Sequence, residues 1–279
     1  MSANGEVCFY ANADTHLLAD VNGWFATGSS LNALAPARLF DTRPGEGQGA
    51  VTVAKAKVGG AVELRVTVAG AAGVPASGVG AVSLNVTATE PDGNGFVTVY
   101  PCGTRPGASN LNFVAGQTVP NAVIAPVSTT GEICLYANAT THLLADVNGW
   151  FGTTSRFHAV DPSRFFDTRP AEAQGTVSVA KAKIGGAVEL RVKVTGVSGV
   201  PAAGVAAVSL NVTATEPDGN GFVTVYPCGT RPAASNLNFV TGQTVPNAVI
   251  APVSAAGEIC LYANATTHLL ADVNGWIGT

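Results

Sequence analysis

Charge is what this chain has least of. Asp, Glu, Lys and Arg together make up 11% of its 279 residues, and the net charge is −4 at pH 7. Soluble domains commonly carry about 25% charged residues. The few Lys and Arg are scattered, so there is no basic stripe to displace phosphate counterions, and a nucleic-acid partner is not expected. Long apolar runs are also missing. The longest, Ala122–Val127, is strand-sized and contains Pro126, which leaves no membrane span of helical length. Met1–Asn4 does not read as a secretory leader; the expectation is a chain whose leader was removed, or an excised fragment. No segment sustains a 3.6-residue period between caps, so helices have no signal. What remains is apolar. Hydrophobic residues reach 47%, rich in Ala and Val, beside 33 Gly. Disordered chains show the opposite balance, so this one should fold, and its length suits two ordinary domains.

Self-similarity gives the organisation. Gly5-Glu6-Val7-Cys8 returns as Gly131-Glu132-Ile133-Cys134 and as Gly257-Glu258-Ile259-Cys260, a period of 126 residues. Gly131–Phe151 and Gly257–Ile277 agree at 20 of 21 positions, and Gly80–Asn121 and Ala206–Asn247 at 39 of 42. A period this long is a whole domain rather than a solenoid unit. The copies diverge most at Ala26–Ala37 and Gly152–Ser163, which are rich in Gly, Ser, Thr and Pro and read as linkers. Residues 1–27 are therefore the C-terminal remnant of a preceding copy, 28–152 the first repeat domain and 153–279 the second.

Within a copy, Val62–Val68 and Val82–Thr89 alternate between apolar and polar residues. A period of two marks a strand with one wet face. Asp92-Gly93-Asn94-Gly95 precedes Phe96–Tyr100, and Asn-Gly between two strand patterns predicts a hairpin. Further strands are expected at Ser109–Phe113, Thr118–Ser128, Glu132–Tyr136 and His142–Val147, with weaker signals at Arg38–Thr42 and Val51–Ala54. Many short strands between turns indicate an all-β chain of two tandem antiparallel β-sandwiches, jelly-roll or Ig-like. A β-trefoil is the alternative, because Ala81-Val82 recurs as Ala122-Val123.

Cysteine spacing suggests one disulfide per domain, Cys102 with Cys134 and Cys228 with Cys260, leaving Cys8 unpaired. Setting Cys102 opposite Cys134 on antiparallel strands also sets Tyr100 opposite Tyr136, at a separation a disulfide can span. In a second phase Cys8 would join Cys102 and Cys134 would join Cys228. Disulfides point to an oxidising, extracellular or cell-surface location.

Few motifs carry chemistry. His142 and Asp146 stand four residues apart on one strand pattern. A triad also needs an activated nucleophile, and no Gly-x-Ser-x-Gly elbow is present. His and Cys are too few per copy for a zinc site, so no metal, cofactor or catalytic residue is assigned and the chain is not expected to be an enzyme. Glu90–Gly95 is read as a turn rather than a calcium loop. Phe40-Asp41-Thr42-Arg43-Pro44 and its copy at Phe166–Pro170 read as an Arg–carboxylate clip. Asn85-Val86-Thr87 and Asn138-Ala139-Thr140 match the glycosylation sequon. Asp146-Val147-Asn148-Gly149-Trp150 and Asp272-Val273-Asn274-Gly275-Trp276 place Trp beside Asn and Asp, the usual chemistry for stacking on sugar rings. Trp150, Asp146, Asn148, Trp276, Asp272 and Asn274 are thus the candidate ligand-binding residues.

Several motifs keep their order through the copy. They are Arg38–Arg43, Val74-Pro75, Leu84–Thr87, Phe96–Pro101, Ser109–Phe113, Gly116–Asn121 and Ala145–Trp150. Together they resemble a domain-length repeat of secreted and cell-surface proteins of actinobacteria, often appended to extracellular hydrolases or strung in tandem. That resemblance implies secretion and an accessory role, without a known ligand or catalytic residue. The expected function is a non-catalytic extracellular interaction module that binds a polysaccharide or cell-wall glycan, two copies adding avidity. The alternative is a structural spacer or self-assembling surface repeat, with self-association through strands in residues 1–25.

Overall fold

Alternating apolar and polar residues build every sheet of the computed structural model, which describes residues 4–21, 23–26, 28–60, 62–186 and 188–279. Among these residues there is no helix, so none is long and apolar enough to cross a membrane. The first repeat supplies β1 (Leu31–Asp41), β2 (Glu63–Thr67), β3 (Val79–Thr89), β4 (Gly95–Pro101), β5 (Leu111–Phe113), β6 (Val119–Pro126), β7 (Glu132–Ala137) and β8 (His142–Gly152). The second supplies β9 (Phe157–Asp167), β10 (Glu189–Lys193), β11 (Val205–Thr215), β12 (Gly221–Pro227), β13 (Leu237–Phe239), β14 (Val245–Pro252), β15 (Glu258–Ala263) and β16 (His268–Gly278).

Each repeat is a sandwich of two four-stranded antiparallel sheets. The orders are β1-β8-β3-β6 and β2-β7-β4-β5 in the first, and β9-β16-β11-β14 and β10-β15-β12-β13 in the second. Within a repeat only the step from β4 to β5, or from β12 to β13, stays in one sheet. Every other connection crosses to the facing sheet, which is the jelly-roll order. No sheet closes into a barrel, and the trefoil alternative falls away.

The two-residue period fills the core. Val82, Leu84, Val86 and Ala88 of β3 face Ile133, Leu135 and Ala137 of β7, all fully buried. Each Val or Leu removed from water in this way contributes about 1.5–3 kcal/mol. The intervening residues of β3, Ser83, Asn85 and Thr87, look outward from the sheet.

Some elements differ from the sequence pattern. The Asn94-Gly95 turn is not a hairpin. It joins β3 to β4, which lie in opposite sheets, so the turn chemistry serves a crossover. Gly95 is nonetheless required, because a Cβ there would meet Asn138 Oδ1 at 2.5 Å and the Phe113 ring at 2.8 Å. Leu31–Ala37, read as linker, is the first half of an edge strand. Its ladder with β8 is interrupted between Ala33 and Ala37, where Pro36 sits without a donor to offer. Val51–Ala54 is not a strand, although the Val51 N–H donates to Leu39 O at 2.8 Å. Residues 4–26 form no strand where described. Their copies at 130–152 pair with β1 to β4, and those strands are already occupied by β7 and β8.

Candidate functional site

The outer end of β8 positions the proposed ligand residues, and a bulge separates them. Asn85 pairs with Asp146 and Leu84 with Val147, but Ser83 pairs with Gly149 and Val82 with Trp150. Asn148 is the extra residue. Paired residues share a face, so the bulge leaves Asp146 on the outer face and turns Trp150 to the inner one. Trp150 there packs half-buried against the end of the core. Such a bulge re-aims a side chain. Trp150, Asp146 and Asn148 therefore do not form one platform.

Asp146 is taken up by Arg38, whose Nε donates to Asp146 Oδ1 at 2.6 Å while its Nη1 donates to Asp41 Oδ2 at 2.6 Å. Arg43 completes the clip through its backbone N–H at 2.9 Å and its Nη2 at 2.6 Å, both donated to Asp41. Burial alone would raise the Asp41 carboxyl; the Arg43 hydrogen bonds and the charges of Arg43 and Arg38 outweigh it and hold the group below its ordinary value. His142 Nδ1 lies 3.2 Å from Thr42 Oγ1. With Asp146 held by Arg38, the His–Asp pair is drawn apart into two separate structural contacts.

In the second repeat Asp272 and Asn274 are buried, and Asn274 Oδ1 has no hydrogen-bond partner among the described residues. Their counterparts Asp146 and Asn148 are half-buried. Burial raises the Asp272 carboxyl against the opposing charge of Arg164. Trp276 is capped by His158, with ring centroids 4.0 Å apart and planes 17° from parallel.

Trp150 differs. The residue at the matching place on β1 is Asn32, too small to cap the indole. A groove of about 730 Å³ opens here, lined by Trp150, Ser29, Ser30, Asn32, Ser77 and Arg156, with other small residues. Most of these lie in the stretches read as linkers. The usable signal was the difference between copies, Asn32 against His158, rather than the shared Asp-x-Asn-x-Trp motif.

The cysteines pair as Cys102–Cys134 and Cys228–Cys260, each with Cα atoms 4.9 Å apart, and Cys8 is free and exposed. The register differs from the expected one. Tyr100, not Cys102, is opposite Cys134, and Tyr136 faces Thr98. The chain leaves β4 after Pro101 and bends at Cys102 and Gly103, so Cys102 reaches Cys134 from outside the ladder. Glu63 lies beside the Cys102–Cys134 sulfurs, as Glu189 does beside the second pair. Sulfurs joined in a disulfide carry no thiolate, so these clusters are not metal sites. Tyr100 donates its hydroxyl to Glu63. Burial, then that hydrogen bond and the Glu63 charge, push the phenol up to about 12. In the Glu90–Gly95 turn, Asp92 pairs with Lys57 at 2.5 Å and Asn94 Oδ1 accepts the Ala115 N–H at 3.1 Å. Those oxygens are spent on the fold. Of the sequon residues, Asn138 Oδ1 accepts the Phe96 N–H at 2.6 Å, and Asn85 is half-buried on the outer face.

Comparison with known proteins returned no matching family model, no matching curated protein and no matching solved structure.

Proposed function

We propose that the chain is a non-catalytic extracellular interaction module that takes a polysaccharide or cell-wall glycan in the groove beside Trp150. One observation carries this reading. The first repeat leaves a half-buried indole at the wall of an open groove rimmed by hydroxyls, an amide and the Arg156 guanidinium. An apolar ring face with convergent polar groups is the chemistry a sugar ring requires. Two disulfides suit an oxidising compartment, in keeping with the likeness to repeats of secreted actinobacterial proteins. His142 and Asp146 support a non-catalytic role, because each is engaged by a structural partner.

The test is retention on insoluble peptidoglycan, chitin, cellulose and arabinogalactan. The intact chain should be retained on one of them and lose retention in Trp150→Ala and in Arg156→Ala. Trp276→Ala should keep it, since that indole is already capped by His158. No retention on any matrix, or equal loss in both Trp variants, overturns the reading. A second reading, a rigid spacer, has its own support in the polar contact between the sandwiches. Asn121 and Asn211 bond directly across that contact.

A further inference from the structure

The two sandwiches meet through unlike surfaces. The first contributes its β5–β6 edge, with Ser109, Asn110 and Asn121. The second contributes the outer face of its β9-β16-β11-β14 sheet, with Asn211, Asp272 and Ala248 from β14. Asn121 Nδ2 donates to Asn211 Oδ1 at 2.9 Å, Asn121 Oδ1 accepts the Ala248 N–H at 3.1 Å, and Asn211 Nδ2 donates to Ser109 O at 2.7 Å. The backbone N–H of Ser109 lies near enough to the Asp272 carboxylate to oppose the rise that burial imposes on it, while Asp272 Oδ2 has no hydrogen-bond partner among the described residues.

Both halves of this contact are present twice, with the same residues. Ser109, Asn110 and Asn121 recur as Ser235, Asn236 and Asn247, while Asn211, Asp272 and Ala248 have their counterparts in Asn85, Asp146 and Ala122. The contact between the sandwiches uses only one set of each. Asn110 and Asn121 are buried, but Asn236 and Asn247 are not. The Asp272 side chain is 3% exposed and that of Asp146 is 26%. One chain therefore leaves Asn236 and Asn247 uncovered by another sandwich on the edge of its second, and Asn85 and Asp146 uncovered on the face of its first, whose other end, at Ala81, Ile124 and Phe151, packs on Phe157 of the second repeat. A contact between unlike surfaces does not consume itself and can repeat in series.

A second observation shows that the unused edge accepts this chemistry. The backbone N–H of Ser235 donates to Asp20 Oδ2 at 3.4 Å. Asp20 is the residue of the N-terminal segment that corresponds to Asp146 and Asp272. The segment thus sets a carboxylate against Ser235, as the contact between the sandwiches sets Asp272 near Ser109.

We infer that the contact between the sandwiches is one link of a series: the β13–β14 edge of one copy docks on the outer β1-β8-β3-β6 face of another copy of this chain, and Asp20 competes for that edge from within. The link pairs Asn247 with Asn85 and Ser235 with Asp146 across two chains. It uses neither the Trp150 groove nor Cys8 and does not depend on glycan binding.

The experiment is sedimentation velocity over a concentration series in a Cys8→Ser background, which removes disulfide-linked pairs. The chain should form species larger than a monomer as concentration rises, and Asp20→Ala should form them at lower concentration. Asn85→Arg kills the face and Asn247→Arg kills the edge, so each alone should remain monomeric. Mixed, they should form a dimer and nothing larger, because each supplies the half that the other lacks. Asn85→Ala and Asn247→Ala repeat the test with milder changes. Monomers throughout for both the Cys8→Ser and the Cys8→Ser/Asp20→Ala chains overturn the inference. So does assembly that survives either arginine variant alone, or a mixture that stays monomeric while the parent assembles.

Discussion

Asn121 and Asn211 stand in different sandwiches, and the side-chain amide of the first donates to the side-chain carbonyl of the second at 2.9 Å. Both residues are buried, and Asn121 also donates to Asn110 O at 2.5 Å within its own sandwich. Among the described residues its counterpart Asn247 keeps only the internal bond, to Asn236 O. The repeat therefore contains its own control. Asn121→Ala leaves Asn211 Oδ1 and the Ala248 N–H unpaired in a buried contact, which costs about 1–3 kcal/mol beyond whatever Asn247→Ala costs. Scanning calorimetry should show one cooperative transition for the intact chain and for Asn247→Ala. Asn121→Ala should broaden it or split it in two, as the sandwiches begin to unfold separately.

The disulfides close equal loops in the two repeats, each with a sequence separation of 32. Closing such a loop restricts the unfolded chain and typically stabilises by about 2–4 kcal/mol. The double substitution Cys102→Ser with Cys134→Ser should lower the stability of the first sandwich by that amount in urea unfolding, and Cys228→Ser with Cys260→Ser should do the same for the second. Cys8→Ser should leave both unchanged, because that thiol is exposed and free.

The two-residue period read the strands well, since Val82, Leu84, Val86 and Ala88 turn inward as the alternation requires. It could not read which strands meet. Turn residues fix a local reversal, but whether the next strand joins the same sheet depends on contacts far along the chain. The Asn94-Gly95 turn looked like a hairpin for that reason. The face on which Trp150 stands was less legible. A single inserted residue, Asn148, reverses the face of everything beyond it, and nothing in Asp-Val-Asn-Gly-Trp announces a bulge except the Gly. The contact between sandwiches was hidden by the repetition itself. Asn85 and Asn211 are the same residue in the same motif, and only the fold shows that one is covered and the other open.

Tyr100 and Tyr226 each give a hydroxyl to a carboxylate, Glu63 and Glu189 respectively. Both phenols are raised to about 12, first by burial and then by the carboxylate. An ultraviolet titration should show two of the five tyrosines ionising about two pH units late. Glu63→Gln should bring Tyr100 part of the way back, because burial remains, and should leave Tyr226 where it is. The linked stability has a definite sign. A group whose native pKa is raised stabilises fully below its unfolded value, about 10. That contribution is lost as pH climbs through 12. Unfolding in alkali should accordingly begin above pH 10 and shift to lower pH in Glu63→Gln.

Asp41 links the stability of the first sandwich to acid pH. Its carboxylate has no exposure and binds two guanidinium groups, from Arg38 and Arg43. Asp167 does the same with Arg164 and Arg169. Both carboxyls sit below their ordinary value, because the arginine contacts outweigh the effect of burial. A lowered native pKa stabilises fully above the unfolded value, about 3.9. That contribution drains away as pH falls through the native one. Each sandwich should therefore hold its stability down to about pH 4 and lose it in stronger acid. Asp41→Asn removes the charge that Arg38 and Arg43 surround and leaves two cations facing each other. Breaking a buried pair from one side costs about 3–5 kcal/mol; the arginines keep partial access to water, which places the loss at the lower end. Denaturant unfolding across the acid range should show Asp41→Asn less stable than the parent at neutral pH and nearly equal to it in strong acid, where the parent has lost the same charge. A constant difference at every pH would mean that packing around Asp41, and not its ionisation, holds the clip together.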